Sequence, residues 1–316
     1  MGDRGPYDLV TMGRVGVDLY PEQSGVSLAE VRTFAKSLGG SPTNVAVGAA
    51  RYGHRSAVIT KVGDDGLGGY VREALQGFGV DDRFVGTDTE LRTPIVLCEL
   101  LPPESPTIVF YRQPTAPDMR LTVEELDLDA IREARIFWTT GTGLSAEPSR
   151  GATIAALEAR GRRAVTVHDL DFRAEFWSSA EEAGEQQRRA LALATVAVGN
   201  VEECSVAVGD GEPEVLAKRL RDLGIDLSVV KLGGAGVLAA WEGGMERFPP
   251  VPVDVVNGLG AGDGFGAGVC HGLLEGWDVP RTIRFANAAG AYVAGQLACA
   301  DAMPDEAQVE ALLVDA

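Results

Sequence analysis

The chain has 316 residues, 45% hydrophobic and 23% charged, which is enough apolar side chain for a full core. A formal net charge of −18 argues against nucleic acid, whose binders carry a basic face, although local arginines can still outweigh that field around a small anion. The four widely spaced cysteines include no Cys-x-x-Cys pair, and there is no apolar leader or uninterrupted membrane-length run, so the expectation is a cytoplasmic protein without cysteine-held metal.

Residues 7–12 form a short apolar run ending at Gly13, the pattern of a first strand. Residues 17–38, punctuated by Pro21 and Gly25, read as an extended, partly exposed flap. An Ala/Val-rich helix is expected over 42–52, with Ser41 as N-cap and Pro42 in the first position. A buried strand at 56–62 and a short helix at 66–77 follow. The segments 92–101 and 107–111 read as a strand pair across the turn Pro102-Pro103. Apolar strands are expected at 135–140, 164–169, 195–198 and 228–232, with helices at 148–160, 181–194 and 213–223 between them. Such alternation specifies a parallel sheet with crossover helices. Helices at 264–274, 280–297 and 306–314 close the chain. The expected organisation is one α/β domain carrying a β flap built from about 17–38 and 92–112.

The run Asn257-Gly-Leu-Gly-Ala-Gly-Asp-Gly-Phe-Gly-Ala-Gly268 carries the chemistry. Glycines at 258, 260 and 262 precede one acid, Asp263, and a helix-length apolar stretch begins there. Such a loop lets the N–H groups of Gly260, Ala261 and Gly262 turn inward at a helix N-terminus, where an anion is favoured. An acid beside an anion hole repels a plain phosphate. It suits a general base that takes a proton while the N–H groups hold charge developing on a transferred group. The competing reading of Asp263 is the N-cap of a helix opening at Gly264. The run lies in the last fifth of the chain, unlike a dinucleotide fingerprint, and no Gly-Lys-Ser/Thr occurs, which excludes a P-loop.

Together with Gly39-Gly-Ser-Pro-Thr-Asn-Val-Ala-Val-Gly48, this loop resembles the paired signatures of the ribokinase-like, or phosphofructokinase B, carbohydrate kinases. Gly199-Asn-Val-Glu-Glu203 resembles the family's Asn-x-x-Glu motif, and Lys231-Leu-Gly-Gly-Ala-Gly236 its nucleotide-side strand and turn. The resemblance runs from residue 8 to about residue 297. It implies a ribokinase-like three-layer α/β sandwich with a mostly parallel sheet and a small β lid. The implied activity is ATP-dependent phosphoryl transfer to a sugar hydroxyl with Mg2+. It makes Asp263 the base and places sugar hydroxyls against Asp18, Gly39, Gly40 and Asn44. Asn200 and Glu203 would organise Mg2+ and phosphate, Glu203 through water; the plain alternative is a solvated helix start with acids in its first turn. Lys231, Gly233, Gly236 and Asn287 would line the nucleotide side. Two copies would pair through the flap.

A narrower likeness rests on Gly13-Arg-Val-Gly-Val-Asp-Leu-Tyr20, Phe110-Tyr-Arg112, Asp169-Leu-Asp-Phe-Arg173 and Val256-Asn-Gly-Leu-Gly-Ala-Gly-Asp263. These are similar to the branch of the family that phosphorylates the C6 hydroxyl of 5-dehydro-2-deoxy-D-gluconate in inositol catabolism. Arg14, Arg112 and Arg173 each lie beside a predicted strand end, and bidentate arginine suits a sugar carboxylate. Fructokinase, 2-dehydro-3-deoxygluconokinase, a nucleoside kinase and a non-catalytic sugar-binding regulator stay open. Asn257 stands where most members carry an aspartate that helps hold a monovalent cation, so potassium activation is not implied. His54, His168 and His271 show no ligand spacing and no acid partner, and read as structural.

Overall fold

The structure, a computed structural model, describes residues 7–314 apart from Ser24 and Ser105. Its central strands are buried along nearly their whole length and are mainly apolar, because both their faces are covered. All five residues of Ile136–Thr140 are buried; Ile136 and Trp138 pack into one layer and Phe137 into the other.

Nine strands make the main sheet, in the spatial order Gly244–Phe248, Val237–Trp241, Leu227–Lys231, Val196–Asn200, Val165–Asp169, Ile136–Thr140, Leu9–Met12, Ser56–Gly63 and Val85–Asp88. The first two pairings along this order are antiparallel and the rest parallel. Helices Ser41–Arg51, Ala261–Glu275 and Val279–Ala294 seal one face through Val45, Phe265, Val269 and Ile283. Helices Ser149–Arg160, Ala180–Leu191, Val201–Val208 and Pro213–Asp222 seal the other. Among the described residues no helix is long and apolar enough to cross a membrane.

The expected flap is a second sheet of four strands, in the order Phe34–Gly39, Gly16–Pro21, Ile95–Glu99, Thr107–Tyr111. It is antiparallel except where Gly16–Pro21 meets Ile95–Glu99. The turn after Ile95–Glu99 touches the glycine-rich loop: the Gly258 N–H donates to the Pro103 carbonyl at 2.9 Å.

Three boundaries differ from expectation for physical reasons. The helix expected at 264 starts at Ala261, because Gly260, with φ of 79°, takes the cap position in a left-handed conformation. Asp263 is therefore the third residue of the helix and not its N-cap. Ser41 is likewise not the cap of its helix: Gly40, at φ 107°, precedes it, and Ser41 and Pro42 are the first two helical residues. A Cβ on Gly40 would stand 2.4 Å from the Arg14 carbonyl. The hairpin Val237–Trp241/Gly244–Phe248 was not expected beyond 232, since its outer strand is exposed along four of five residues and shows little apolar patterning.

One buried charge holds a sheet corner. Arg160, 1% exposed, donates to the carbonyls of Ile131, Arg132, Ala134, Arg135 and Val165 at 2.5–3.1 Å. Burial lowers its pKa to about 10, which leaves it protonated at neutral pH.

Candidate active site

Parallel strands deliver their C-terminal ends to one side of the sheet, where α/β proteins gather ligands. Arg14 follows Leu9–Met12, Asp171 and Arg173 follow Val165–Asp169, and Asn200 and Lys231 end their own strands. The first turns of Ser41–Arg51 and Ala261–Glu275 meet them from the helical layer, and the flap roofs the space with Val96, Cys98, Ile108 and Phe110. The enclosed cavity is about 450 Å³. A second, of about 390 Å³, adjoins it across Glu104, Lys231, Gly233, Gly258 and Gly262. Both fall in the range of small-ligand sites.

The first cavity brings together Arg14, Asp18, Gly40, Asn44, Arg173, Asn200, Glu203, Lys231, Gly233, Gly260, Gly262 and Asp263. The second is lined by Lys231, Gly233, Gly236, Ala261, Gly262 and Asn287 among apolar walls that include Val237, Val251 and Phe265. Gly39 lies underneath: a Cβ there would stand 2.1 Å from Asp18 Oδ1. Asn287 lines its cavity while giving its amide NH2 to the Pro249 carbonyl at 2.5 Å.

Arg112 is a correction. Its two terminal nitrogens lie 3.2 and 2.5 Å from the two oxygens of buried Asp118, so its fork is occupied by protein, and it lines neither cavity. Arg14 and Arg173 do reach the first cavity, held by a residue the motif reading left unassigned. Asp171, at φ 25°, accepts from Arg14 Nε on Oδ2 at 3.3 Å and from Thr142 Oγ1 at 3.1 Å, and forms an ion pair with Arg173, whose Nε lies 3.3 Å from Oδ1 without hydrogen-bond geometry. Burial works to raise its pKa, but Arg14 and Arg173 outweigh it and hold the group well below the ordinary carboxylate range. Asp169 was also left unassigned. Burial raises it, Lys231 opposes, and Glu203, Asp171 and Asp263 add to the rise. The visible signal for both acids was the alternation Asp169-x-Asp171-x-Arg173 running off a strand end.

Asp263 Oδ2 accepts the Asn44 amide at 2.7 Å, which fixes the carboxylate at the mouth of the helix. Asn44 Oδ1 and Ser41 Oγ, both on cavity residues, are buried without a hydrogen-bond partner among the described residues. Buried polar atoms in this state call for a ligand or water. Asp18 accepts from the Tyr20 hydroxyl at 3.0 Å; burial pushes its pKa up to about 6 against Tyr20 and Arg14, with Asp263 adding to the rise. Lys231 stays charged: burial opposes this, but Asp169 and Glu203, each 4.0 Å from Nζ, outweigh it.

Asn200 and Glu203 form a reciprocal cap, Asn200 Oδ1 accepting from Glu203 N at 2.8 Å and Glu203 Oε2 accepting from Asn200 N at 2.6 Å. The helix start is exposed at Asn200, Val201 and Glu202, but Glu203 is 6% exposed and lines the cavity. A buried carboxylate beside a phosphate-sized space fits Mg2+, which takes few protein oxygens and keeps several waters. Asn257 closes the glycine-rich loop as a neutral group, donating to the Leu297 carbonyl at 2.7 Å and accepting from Leu259 N at 2.9 Å.

A model of the pfkB family of carbohydrate kinases matches residues 7–306. The chain belongs to that family. It is similar to a 5-dehydro-2-deoxygluconokinase of Geobacillus kaustophilus, 34% identical over 96% of this chain and 93% of that protein. One from Clostridium tetani is 32% identical over 98% and 93%. A Vibrio cholerae fructokinase, solved with fructose, ADP and calcium, superposes with a TM-score of 0.85 at 28% identity, covering 97% of this chain and 99% of that one. As a pfkB carbohydrate kinase, this protein is a sugar kinase, a phosphotransferase with an alcohol group as acceptor.

Proposed function

We propose that this pfkB kinase phosphorylates the C6 hydroxyl of 5-dehydro-2-deoxy-D-gluconate with ATP, a step of inositol catabolism. The observation that carries the reading is the pair Arg14 and Arg173 in the sugar-sized cavity, Arg14 hydrogen-bonded through Nε and Arg173 ion-paired to one carboxylate, Asp171. Each guanidinium keeps its terminal nitrogens for a planar anion, and the trio retains one net positive charge. A neutral sugar has no use for that charge, whereas a sugar acid pairs with it bidentately. The similarity to named 5-dehydro-2-deoxygluconokinases supports the same substrate.

In this reading Asp18 and Asn44 take the sugar hydroxyls, and the unpartnered Asn44 Oδ1 and Ser41 Oγ are completed by the ligand. ATP occupies the apolar second cavity, so its γ-phosphoryl group reaches the junction at Gly262 and Lys231. The first N–H groups of Ala261–Glu275 have no intrahelical acceptor and hold the equatorial oxygens. Asp263, oriented by Asn44, accepts the C6 hydroxyl proton as that oxygen bonds to phosphorus and ADP departs. Mg2+, when bound near Asn200 and Glu203, neutralises phosphate charge. Two copies would meet through the flap, where Phe34 and Tyr111 are exposed.

The test is ADP release on 5-dehydro-2-deoxygluconate, 2-dehydro-3-deoxygluconate and fructose by wild type and Arg173→Ala. Loss of a charged hydrogen bond, about 1.5–3 kcal/mol, should raise KM roughly 10- to 150-fold on the preferred acid and leave a neutral sugar's KM unchanged. Turnover on fructose alone, or a flat KM in the variant, would overturn the substrate assignment.

A further inference from the structure

Away from both cavities, near the C-terminal end of Ala261–Glu275, two histidines from distant parts of the chain face each other. His54 Nε2 and His271 Nδ1 lie 2.8 Å apart. Glu275, one helical turn beyond His271, brings a carboxylate oxygen so that all three ligand atoms fall within 4.8 Å of one another. No other group of three His, Cys, Asp or Glu is this tight among the described residues. His271 is 2% exposed, and its second nitrogen, Nε2, is buried without a hydrogen-bond partner, 3.9 Å from a Glu306 oxygen. Tyr52, Trp277 and Phe285 pack their rings against the His271 imidazole. A purely structural histidine pair leaves that orphaned nitrogen and the converging carboxylate unexplained.

We propose that His54, His271 and Glu275 form a binding site for a divalent transition-metal ion, for which Zn2+ is the probe. Two imidazole nitrogens and one carboxylate are a borderline-soft set that suits Zn2+ and leaves one position for water. At 2.8 Å the two rings share one proton between their facing nitrogens. A metal ion takes a lone pair from each facing nitrogen, and the proton that lay between them moves to the other nitrogen of its own ring, so that both ligands are neutral imidazoles. The nitrogens need to separate by only about half an ångström to reach metal–nitrogen distances of roughly 2.0–2.1 Å. Glu306 then serves His271 as the outer acceptor, taking the Nε2–H and fixing the ring. His54 is partly exposed and Glu275 exposed, which supplies an entry path. The ion does not join the phosphoryl transfer: His271 lies eight residues, roughly 12 Å, along the helix from Asp263. It fastens the far end of the helix whose first turn carries the anion hole.

The experiment titrates the full chain, freed of transition metal, with Co2+, following visible d–d absorption, then displaces Co2+ with Zn2+. Millimolar Mg2+ is present throughout to fill the acidic cluster of the sugar cavity. The expected result is one tight equivalent with four-coordinate bands and no thiolate charge-transfer band. His54→Ala and Glu275→Gln, both at solvent-accessible positions, should each weaken Zn2+ binding at least tenfold, on the order of what outer-sphere changes alone produce. Their circular dichroism and their kinase turnover with Mg2+ and without added transition metal should stay at the wild-type level. Absence of binding at micromolar metal, a thiolate band, or unchanged affinity in His54→Ala would overturn the site and leave a hydrogen-bonded histidine pair.

Discussion

Asp18 is under two opposed demands, and Asp18→Asn separates them. The side chain is 8% exposed, and burial pushes its pKa up to about 6, roughly two pH units above its ordinary value. An acid raised in this way binds its proton more tightly folded than unfolded. Its contribution is therefore most favourable below about pH 4 and is lost as pH rises through about 6. At about pH 8 the ionised carboxylate costs the fold roughly two pH units at about 1.4 kcal/mol each, near 3 kcal/mol. Asparagine removes the charge, keeps the shape and still accepts from Tyr20. Urea unfolding of the ligand-free protein should show Asp18→Asn more stable than wild type at pH 8, by up to about that amount, with the gap closing toward pH 4. The same variant loses the charged acceptor for the sugar hydroxyls, and KM should rise roughly 10- to 150-fold. A gap as large at pH 4 as at pH 8, or no gap at pH 8, would refute the electrostatic account. Gained stability with an unchanged KM would remove Asp18 from the sugar site.

Three further outcomes follow from the same geometry. Asp263→Asn keeps the Asn44 contact but cannot take a proton; kcat should fall by on the order of 10³ while sugar affinity, read by calorimetry, stays put. Gly39→Ala puts a methyl 2.1 Å from Asp18 Oδ1, so the carboxylate must swing off Tyr20; KM should rise at least tenfold at about 1–3 kcal/mol of lost stability, and a wild-type KM would show that the pocket tolerates the shift. Arg160→Met strands five carbonyls far from the cavities, and urea unfolding should report about 3–5 kcal/mol lost with KM unchanged in the folded fraction.

Much of the frame was legible because its signals are local. Apolar runs such as 135–140 are buried on both faces, and the flap strands follow the expected segments closely. Helix starts were misplaced at Ser41 and Asp263 for one reason: a glycine with positive φ took the cap position in each, and φ leaves no mark in the letters around it. The arginines were read as equivalent because each stood beside a strand end. Which of them is free depends on acids supplied by the fold: Asp118 takes both terminal nitrogens of Arg112, whereas Asp171 lies against the Nε edge of Arg14 and of Arg173. The histidines were read as isolated because His54 and His271 stand 217 residues apart. The four-residue step from His271 to Glu275 was visible, yet it gains meaning only once the third ligand is folded beside it.

The hydrogen bond from Gly258 to Pro103 joins two parts of the chain, the turn of the four-stranded flap and the glycine-rich loop that leads into Ala261–Glu275. Any displacement of that turn from the loop would have to break this bond, so the position of the flap and the set of the loop are coupled through it. Because the contact runs backbone to backbone, no side-chain substitution removes it directly.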